Sequence, residues 1–390
     1  MPLPLRIGML GMGNAGLAFV PAIAKHPEFE LVAFVEPNVG ARAAAEARYG
    51  VPGHATLTQL LTKGPRLDAV CIASPTEYHT TQALEAMASG LHVLVEKPMA
   101  ITLNDARSMV QAAREQGVVL LVGHSHSYDL PIRKMYEVIA SGRLGSVRMA
   151  HNWCFTDWIY RPRRPDELDE RQGGGVTLRQ GSHQFDILRM LCGGEVRRVR
   201  ARAFDLDRQR RAIGAHCVFL DFENGAVATA VYNGYGGFQT TELVGGLSEW
   251  GFPAPEQGWR VHRRGGGGER DAVAELQAKQ SRAGKVIPDQ APFHPFFGIT
   301  LVSCEGGDIR QSPEGLHVYD CDGLEELRFP TDRSPRDLVL DEWSDAIRGR
   351  AVAMHDGLWG MANLEVCLAA LESSERSIEV TLNEQKAVSV

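Results

Sequence analysis

Two short motifs carry side chains suited to moving protons. Glu96-Lys97-Pro98 stands directly after an apolar run, and Gly181-Ser182-His183-Gln184-Phe185-Asp186 follows the glycine run Gly173-Gly174-Gly175. A lysine at the carboxyl end of a strand can hydrogen-bond a substrate hydroxyl or carbonyl oxygen. Desolvation there lowers its pKa and fits it for proton transfer. A histidine is the natural base for an alcohol proton near neutral pH. His183 and Asp186 are three residues apart at a helix start, so they can share one face. Taken singly, each has a plainer reading: Lys97 as a surface lysine on a strand that Pro98 ends, His183 as a helix-start histidine with a structural hydrogen bond.

The elements that must position these groups begin at residue 5. Leu5 to Leu10 reads as a buried strand, followed at once by Gly11-Met12-Gly13-Asn14-Ala15-Gly16, a helical stretch and a second apolar strand, Leu31 to Val35, ending in Glu36. This is the strand–turn–helix–strand–acid order of a dinucleotide site. Gly11 permits the tight turn, Gly13 lets backbone approach a pyrophosphate, and Gly16 packs helix on strand. The helix N-terminus, with Asn14 and Ala15, offers free N–H groups to phosphate. Glu36 can accept hydrogen bonds from the adenosine ribose and repels a 2′-phosphate, which favours NAD over NADP, although Arg42 lies only six residues on.

Composition fits a soluble enzyme of two domains. The chain has 390 residues, 44% hydrophobic and 23% charged, with net charge −7. That charge argues against a nucleic-acid or anionic-membrane surface. No apolar run is long enough to span a bilayer, and no signal peptide is read in Met1-Pro2-Leu3-Pro4. The seven cysteines are scattered without a Cys-x-x-Cys pair. They predict neither disulfides nor a metal centre, and reduced thiols in a cytoplasm are expected. His124 and His126 form a His-x-His pair after a strand, without identifiable partner ligands.

Strand and helix patterns alternate through residue 123, which predicts a doubly wound parallel sheet. Pro21 falls inside the first helix and should kink it or remove a hydrogen bond. Beyond residue 123 the strands alternate with period two, and Asn224-Gly225 marks a hairpin between Ile213–Phe222 and Ala226–Tyr232. Short strands follow between residues 297 and 329, and two amphipathic helices close the chain, about Pro335 to Arg348 and Leu358 to Ser377. The expectation is an α/β protein: a Rossmann domain over 1–123 and an α+β domain over 124–390 with a large, mainly antiparallel sheet. The closing helices can pack back on the first domain. Residues 234–295 read as an elaborated loop, in which Gly265–Gly268 beside Arg263 and Arg264 is read as flexible chain. Arg161, Arg163 and Arg164, near Trp158 and Tyr160, read as a solvated basic loop or, alternatively, a lid over an anionic ring.

Together these motifs resemble the Gfo/Idh/MocA family of NAD(P)-dependent oxidoreductases over nearly the whole chain. The resemblance is carried by the 11–16 turn, Ser74-Pro75 with His79, Glu96-Lys97-Pro98, Gly173–Gly175 and Gly181-x-His183-x-x-Asp186. It implies catalytic roles for Lys97 and His183, a cofactor site that includes Ser74, Pro75, His79, Glu96 and Lys97, and a homo-oligomer, dimer or tetramer. Many members carry an aspartate four residues before the histidine, where this chain has Arg179. A guanidinium cannot accept a proton but can grip a carboxylate. The stretches 157–162, 176–186 and 297–313 look most like the phthalate 4,5-cis-dihydrodiol dehydrogenase subgroup. The implied function is NAD-dependent oxidation of a secondary hydroxyl on an anionic aromatic cis-dihydrodiol. Arg179, His126, Trp158, Arg161 and Asp186 are then expected at the substrate. A sugar or inositol dehydrogenase is the alternative within the class. Outside it stand a redox-neutral, NAD-recycling hydrolase or lyase and an NAD-sensing regulator.

Overall fold

A computed structural model describes residues 3–254, 272–283 and 291–388. The Gly265–Gly268 run with Arg263 and Arg264 lies outside the described residues. Of the described residues, 3–123, 277–283 and 336–361 cluster in one compact unit, and 124–254, 272–276, 291–335 and 362–388 form the other.

The first unit runs β1 (Leu5–Leu10), α1 (Asn14–Lys25), β2 (Phe29–Val35), α2 (Val39–Tyr49), β3 (Gly53–His54), α3 (Leu57–Lys63), β4 (Ala69–Ile72), α4 (His79–Ala88), β5 (His92–Glu96), α5 (Leu103–Gln116) and β6 (Leu120–Gly123). Its sheet is parallel, in the order β3-β2-β1-β4-β5-β6. β4 and β6 are buried at every position, as apolar strands covered on both faces must be. Helix boundaries follow capping chemistry: Thr102 accepts the Asp105 N–H at the start of α5, and Gly117 ends that helix in the left-handed region. α1 continues through Pro21, so the proline removes a donor without ending the helix. In the same unit Trp343, fully buried, stacks on Phe29 with ring centroids 5.2 Å apart.

The second unit contains α6 (Leu130–Ala140), β7 (Val147–Phe155), α7 (Gly175–Arg179), α8 (Gly181–Leu191), β8 (Val196–Phe204), β9 (Ala215–Phe222) and β10 (Val227–Asn233). The chain continues through α9 (Ala272–Ala283), β11 (Ile299–Cys304), β12 (Gly307–Ser312), β13 (Gly315–Asp320), β14 (Gly323–Arg328), α10 (Pro335–Ile347), α11 (Gly357–Arg376) and β15 (Val380–Thr381). Its nine strands lie in the order β14-β13-β12-β11-β7-β10-β9-β8-β15. Every pairing is antiparallel except that of β7 with β10. The Asn224-Gly225 hairpin joins β9 to β10, with Gly225 at φ +84°. β7 escapes period-two reading because the inward position in its middle is a polar residue, Asn152, which is fully buried. The stretch expected as one long loop also holds α9. α8 is buried at every residue, so it is a core helix and not an amphipathic one.

Candidate active site

At the nucleotide end the glycines are required by contact. Gly11 sits at φ +92°, and a Cβ there would lie 2.8 Å from the Ala73 carbonyl oxygen. A Cβ on Gly16 would lie 2.0 Å from the Gly11 carbonyl oxygen, so the helix can approach its strand this closely only with glycine. Gly13 caps α1, and the space over its Cα is open to 4 Å. Asn14 and Ala15 form the first turn of α1, where backbone N–H groups face outward for an anion. The Glu36 carboxylate accepts the N–H groups of Met12 (3.3 Å) and Asn38 (2.9 Å). It is thereby held against the glycine turn with lone pairs left for ribose hydroxyls. Arg42 donates to the carbonyls of Glu36 (2.7 Å) and Pro37 (3.2 Å). The open helix N-terminus and the tethered acid fit an adenine dinucleotide.

The loops after β4 and β5 are tied together from below. His79 is 1% exposed, and its ring nitrogens lie 2.9 Å from the Ser74 carbonyl and 3.0 Å from the Pro98 carbonyl. The structure thus places His79 as a brace between the two loops, where backbone oxygens occupy both its nitrogens. Ser74 donates its hydroxyl to Gln82 (2.6 Å), and Pro75 opens the turn Thr76–Tyr78. Glu96 accepts the Lys97 N–H (3.2 Å), and Lys97, half-buried, joins Pro98 through a cis peptide.

In the second unit, His183 lies in the first turn of α8 and is 5% exposed. The His126 ring meets it edge-on, with centroids 4.7 Å apart, and stacks on Phe297 at 4.2 Å. Phe297 also touches His183, at 5.0 Å, and Trp250 lies 5.5 Å from His126. His126 Nδ1 is 3.1 Å from the buried Asp129 carboxylate. Asp186 is wholly buried one helical turn beyond His183.

A chain of polar side chains holds α7 and α8 on the sheet. Gln184 donates to the side-chain oxygen of Asn152 (2.7 Å) and to the Val231 carbonyl (3.0 Å). Its amide oxygen therefore accepts from His216 Nε2 (2.9 Å), and His216 Nδ1 accepts the Thr177 hydroxyl proton (3.1 Å). This pattern needs a neutral imidazole, and burial pushes the His216 pKa down to about 3. Asn152 in turn donates to the Phe297 carbonyl (2.9 Å), which fixes the ring beside His183.

Arg179 ends α7 and is placed by the glycine run. Gly175 sits at φ +76°, and a Cβ on Gly174 would lie 2.4 Å from the Asp166 carbonyl oxygen. The run thereby seats α7 against the turn Pro165–Leu168, which carries Glu167. Glu167 is 2% exposed, and its Oε1 lies 3.6 Å from both Arg179 and Arg163. Gly181 is the first residue of α8, and a Cβ there would lie 2.9 Å from the His216 ring.

Arg163 lies 4.1 Å over the ring of buried Trp158 and donates to that residue's carbonyl (3.2 and 3.1 Å). Burial, with repulsion from Arg161 and Arg179 against attraction to Glu167, lowers its pKa to about 10. The loop is therefore not a solvated basic one. Arg161 is bound by Asp157 (2.7 Å) and Glu249 (3.2 Å), and Arg164 by Asp166 (2.6 Å). Arg161 is neutralised by two acids, so Arg163 is the arginine of this loop that adjoins Arg179. Glu167, Asp129, Trp250, His216 and Gln184 had no role in the sequence reading, because nothing local marks a long-range partner. Among the described residues, ligand atoms of three or more His, Cys, Asp or Glu converge only at Asp320, Cys321 and Asp322, away from His124 and His126.

Residues 5–124 match the model of the oxidoreductase family with the NAD-binding Rossmann fold, and residues 132–246 match the GFO/IDH/MocA C-terminal domain. The chain is 35% identical over 377 residues, 95% of each protein, to 1-carboxy-3-chloro-3,4-dihydroxycyclohexa-1,5-diene dehydrogenase of Comamonas testosteroni. It is 34% identical over 195 residues, 49% of this chain and 57% of the relative, to 1,5-anhydro-D-fructose reductase of Ensifer adhaerens. A crystal structure of a provisionally assigned dehydrogenase from Bordetella bronchiseptica RB50 superposes with a TM-score of 0.88 at 36% identity, covering 97% of this chain and all of that one.

Proposed function

The chain belongs to the Gfo/Idh/MocA family of oxidoreductases, and from that premise we propose that it is an NAD-dependent dehydrogenase that oxidises a secondary hydroxyl of a carboxylated cis-dihydrodiol. The observation that carries this reading is the arginine pair at Glu167. Two guanidinium groups, Arg163 and Arg179, share one buried carboxylate at 3.6 Å each. Two guanidinium groups set side by side at one carboxylate offer planar forks that suit a substrate carboxylate and suit a neutral polyol poorly. The Comamonas testosteroni relative bears on the same point, since its name describes a carboxylated dihydroxycyclohexadiene. Phthalate 4,5-cis-dihydrodiol, with two carboxylates, is the specific candidate.

The bound nicotinamide supplies the hydride acceptor. His183 takes the hydroxyl proton, and Lys97 stabilises the alkoxide charge as it develops. Gly11, Gly13, Asn14, Ala15 and Gly16 hold the pyrophosphate, and Glu36 holds the adenosine ribose and favours NAD over NADP. Self-association falls on the sheet face that exposes Met149, Trp153 and Phe219.

The test is a screen of purified protein with NAD, recording NADH absorbance against carboxylated cis-dihydrodiols, uncharged cis-dihydrodiols, myo-inositol and aldoses. The proposal expects turnover on the first group well above the rest. Turnover confined to polyols or sugars would overturn it and favour the sugar reading, which the Ensifer adhaerens relative supports over half of the chain. Reaction without net NADH would point to a redox-neutral enzyme.

A further inference from the structure

Asp129 is the N-cap of α6, where a carboxylate ordinarily accepts an N–H of its own helix. It makes no such cap here, and Pro131 removes one donor from the first turn. The carboxylate turns to His126 Nδ1 instead, at 3.1 Å, with Asp129 1% and His126 4% exposed. An ionised carboxylate in so dry a place is sustained by hydrogen bonds and positive charge, and it fixes which nitrogen of the imidazole carries hydrogen. The ring is then clamped by Phe297 on one side and presents itself to His183 on another, at 20° and 78° between ring planes. Other charged or titratable groups around this turn are Asp186 on α8, His124 before it, Arg133 over the Tyr128 ring at 5.1 Å, and His294, which feels the charge of Asp129.

We propose that Asp129, acting through His126, is the positioning pair for His183: it holds the His183 ring in place and supplies the negative charge that favours its protonated form. The inference rests on the assignment of His183 as the proton acceptor. It assigns the carboxylate of a proton-accepting unit to a residue 54 positions earlier in the chain, reached across packed rings. No electrons change hands in this role. The hydroxyl proton ends on His183, and Asp129 remains ionised.

The experiment is the pH dependence of kcat for Asp129→Asn, Asp129→Glu, His126→Phe and His183→Asn, with saturating NAD and the best substrate of the screen. A base must be neutral to act, so activity rises with pH through the His183 pKa. Removing the Asp129 charge should lower that pKa. Asp129→Asn should shift the acidic limb down by about half a unit or more, and so should His126→Phe, in which the buried Asp129 loses the hydrogen bond that favours its charged form; kcat at neutral pH should fall by roughly tenfold in each. Asp129→Glu, which keeps the charge, should restore most of the wild-type limb. His126→Phe keeps an aromatic ring on Phe297, so a merely packing role would leave its limb unmoved. That variant carries the test if Asp129→Asn fails to fold. Unmoved limbs in both variants, while His183→Asn abolishes turnover, would overturn the positioning pair alone. Near-normal turnover in His183→Asn would instead overturn the reading of His183 on which the pair depends.

Discussion

The two ends of the proposed chemistry are built from different materials. At residues 11–36 the working groups are mostly backbone: a glycine turn, a helix N-terminus and one carboxylate tied to two N–H groups. Around His183 they are side chains held by other side chains, through Thr177, His216, Gln184, Asn152 and Phe297. A backbone site tolerates exchange of most side chains and fails when a Cβ enters. A side-chain site fails one partner at a time, and each failure has its own signature in kinetics or pH.

The largest effect should come from the proton-handling residues. Lys97→Ala and His183→Ala are each expected to lower kcat by roughly a hundredfold or more. The Kd for NAD, measured by fluorescence titration, should change much less, because the glycine turn is untouched. Comparable losses in both quantities would erase the contrast between the two ends.

Next in size is Arg179→Met. The loss of a charge-assisted hydrogen bond, roughly 1.5–3 kcal/mol, should raise KM for a carboxylated dihydrodiol by about tenfold or more. An uncharged diol should be much less affected. Equal losses on both would mean that Arg179 holds the protein together, with Glu167 3.6 Å away, and does not meet the substrate.

Acid should expose the buried network. His216 has its ordinary pKa near 6.5 when the chain is unfolded and about 3 when folded. The unfolded state therefore binds the proton first. Stability is full above about pH 6.5 and is lost as pH falls toward 3, by up to about 1.4 kcal/mol per pH unit from this group. His216→Gln should flatten that part of a Tm-against-pH curve. An unchanged slope would show that His216 does not govern it.

The smallest effect is expected at the nucleotide end. Glu36→Ser removes one carboxylate from a site otherwise made of backbone. It should narrow the preference for NAD over NADP in kcat/KM by several-fold, about 1 kcal/mol. Wild-type enzyme that uses NADP as well as NAD would defeat the role given to Glu36.

Much of the architecture was legible because its causes are local. Apolar runs and glycine spacing predict β1 to α1, Asn224-Gly225 predicts the β9–β10 hairpin, and the alternation of strand and helix predicts the parallel sheet. Lys97 and His183 could be picked out by residue type, motif and family resemblance. What stayed hidden had non-local causes. β7 is not legible in the sequence because buried Asn152 interrupts its inward face, and that residue makes sense only once Gln184, Phe297 and Thr300 surround it. Arg161 and Arg163 look alike in the sequence, yet Asp157 and Glu249 neutralise the first while the second shares Glu167 with Arg179. His126 and Asp129 are near neighbours in the chain, but only Phe297 and α8 bring them against His183. By itself the sequence determined the class of fold, the family and the dinucleotide turn, since backbone conformation and periodicity act over a few residues. The tertiary structure decided which charges are paired and which ring each carboxylate holds, because Coulomb interactions and side-chain packing depend on distance in space.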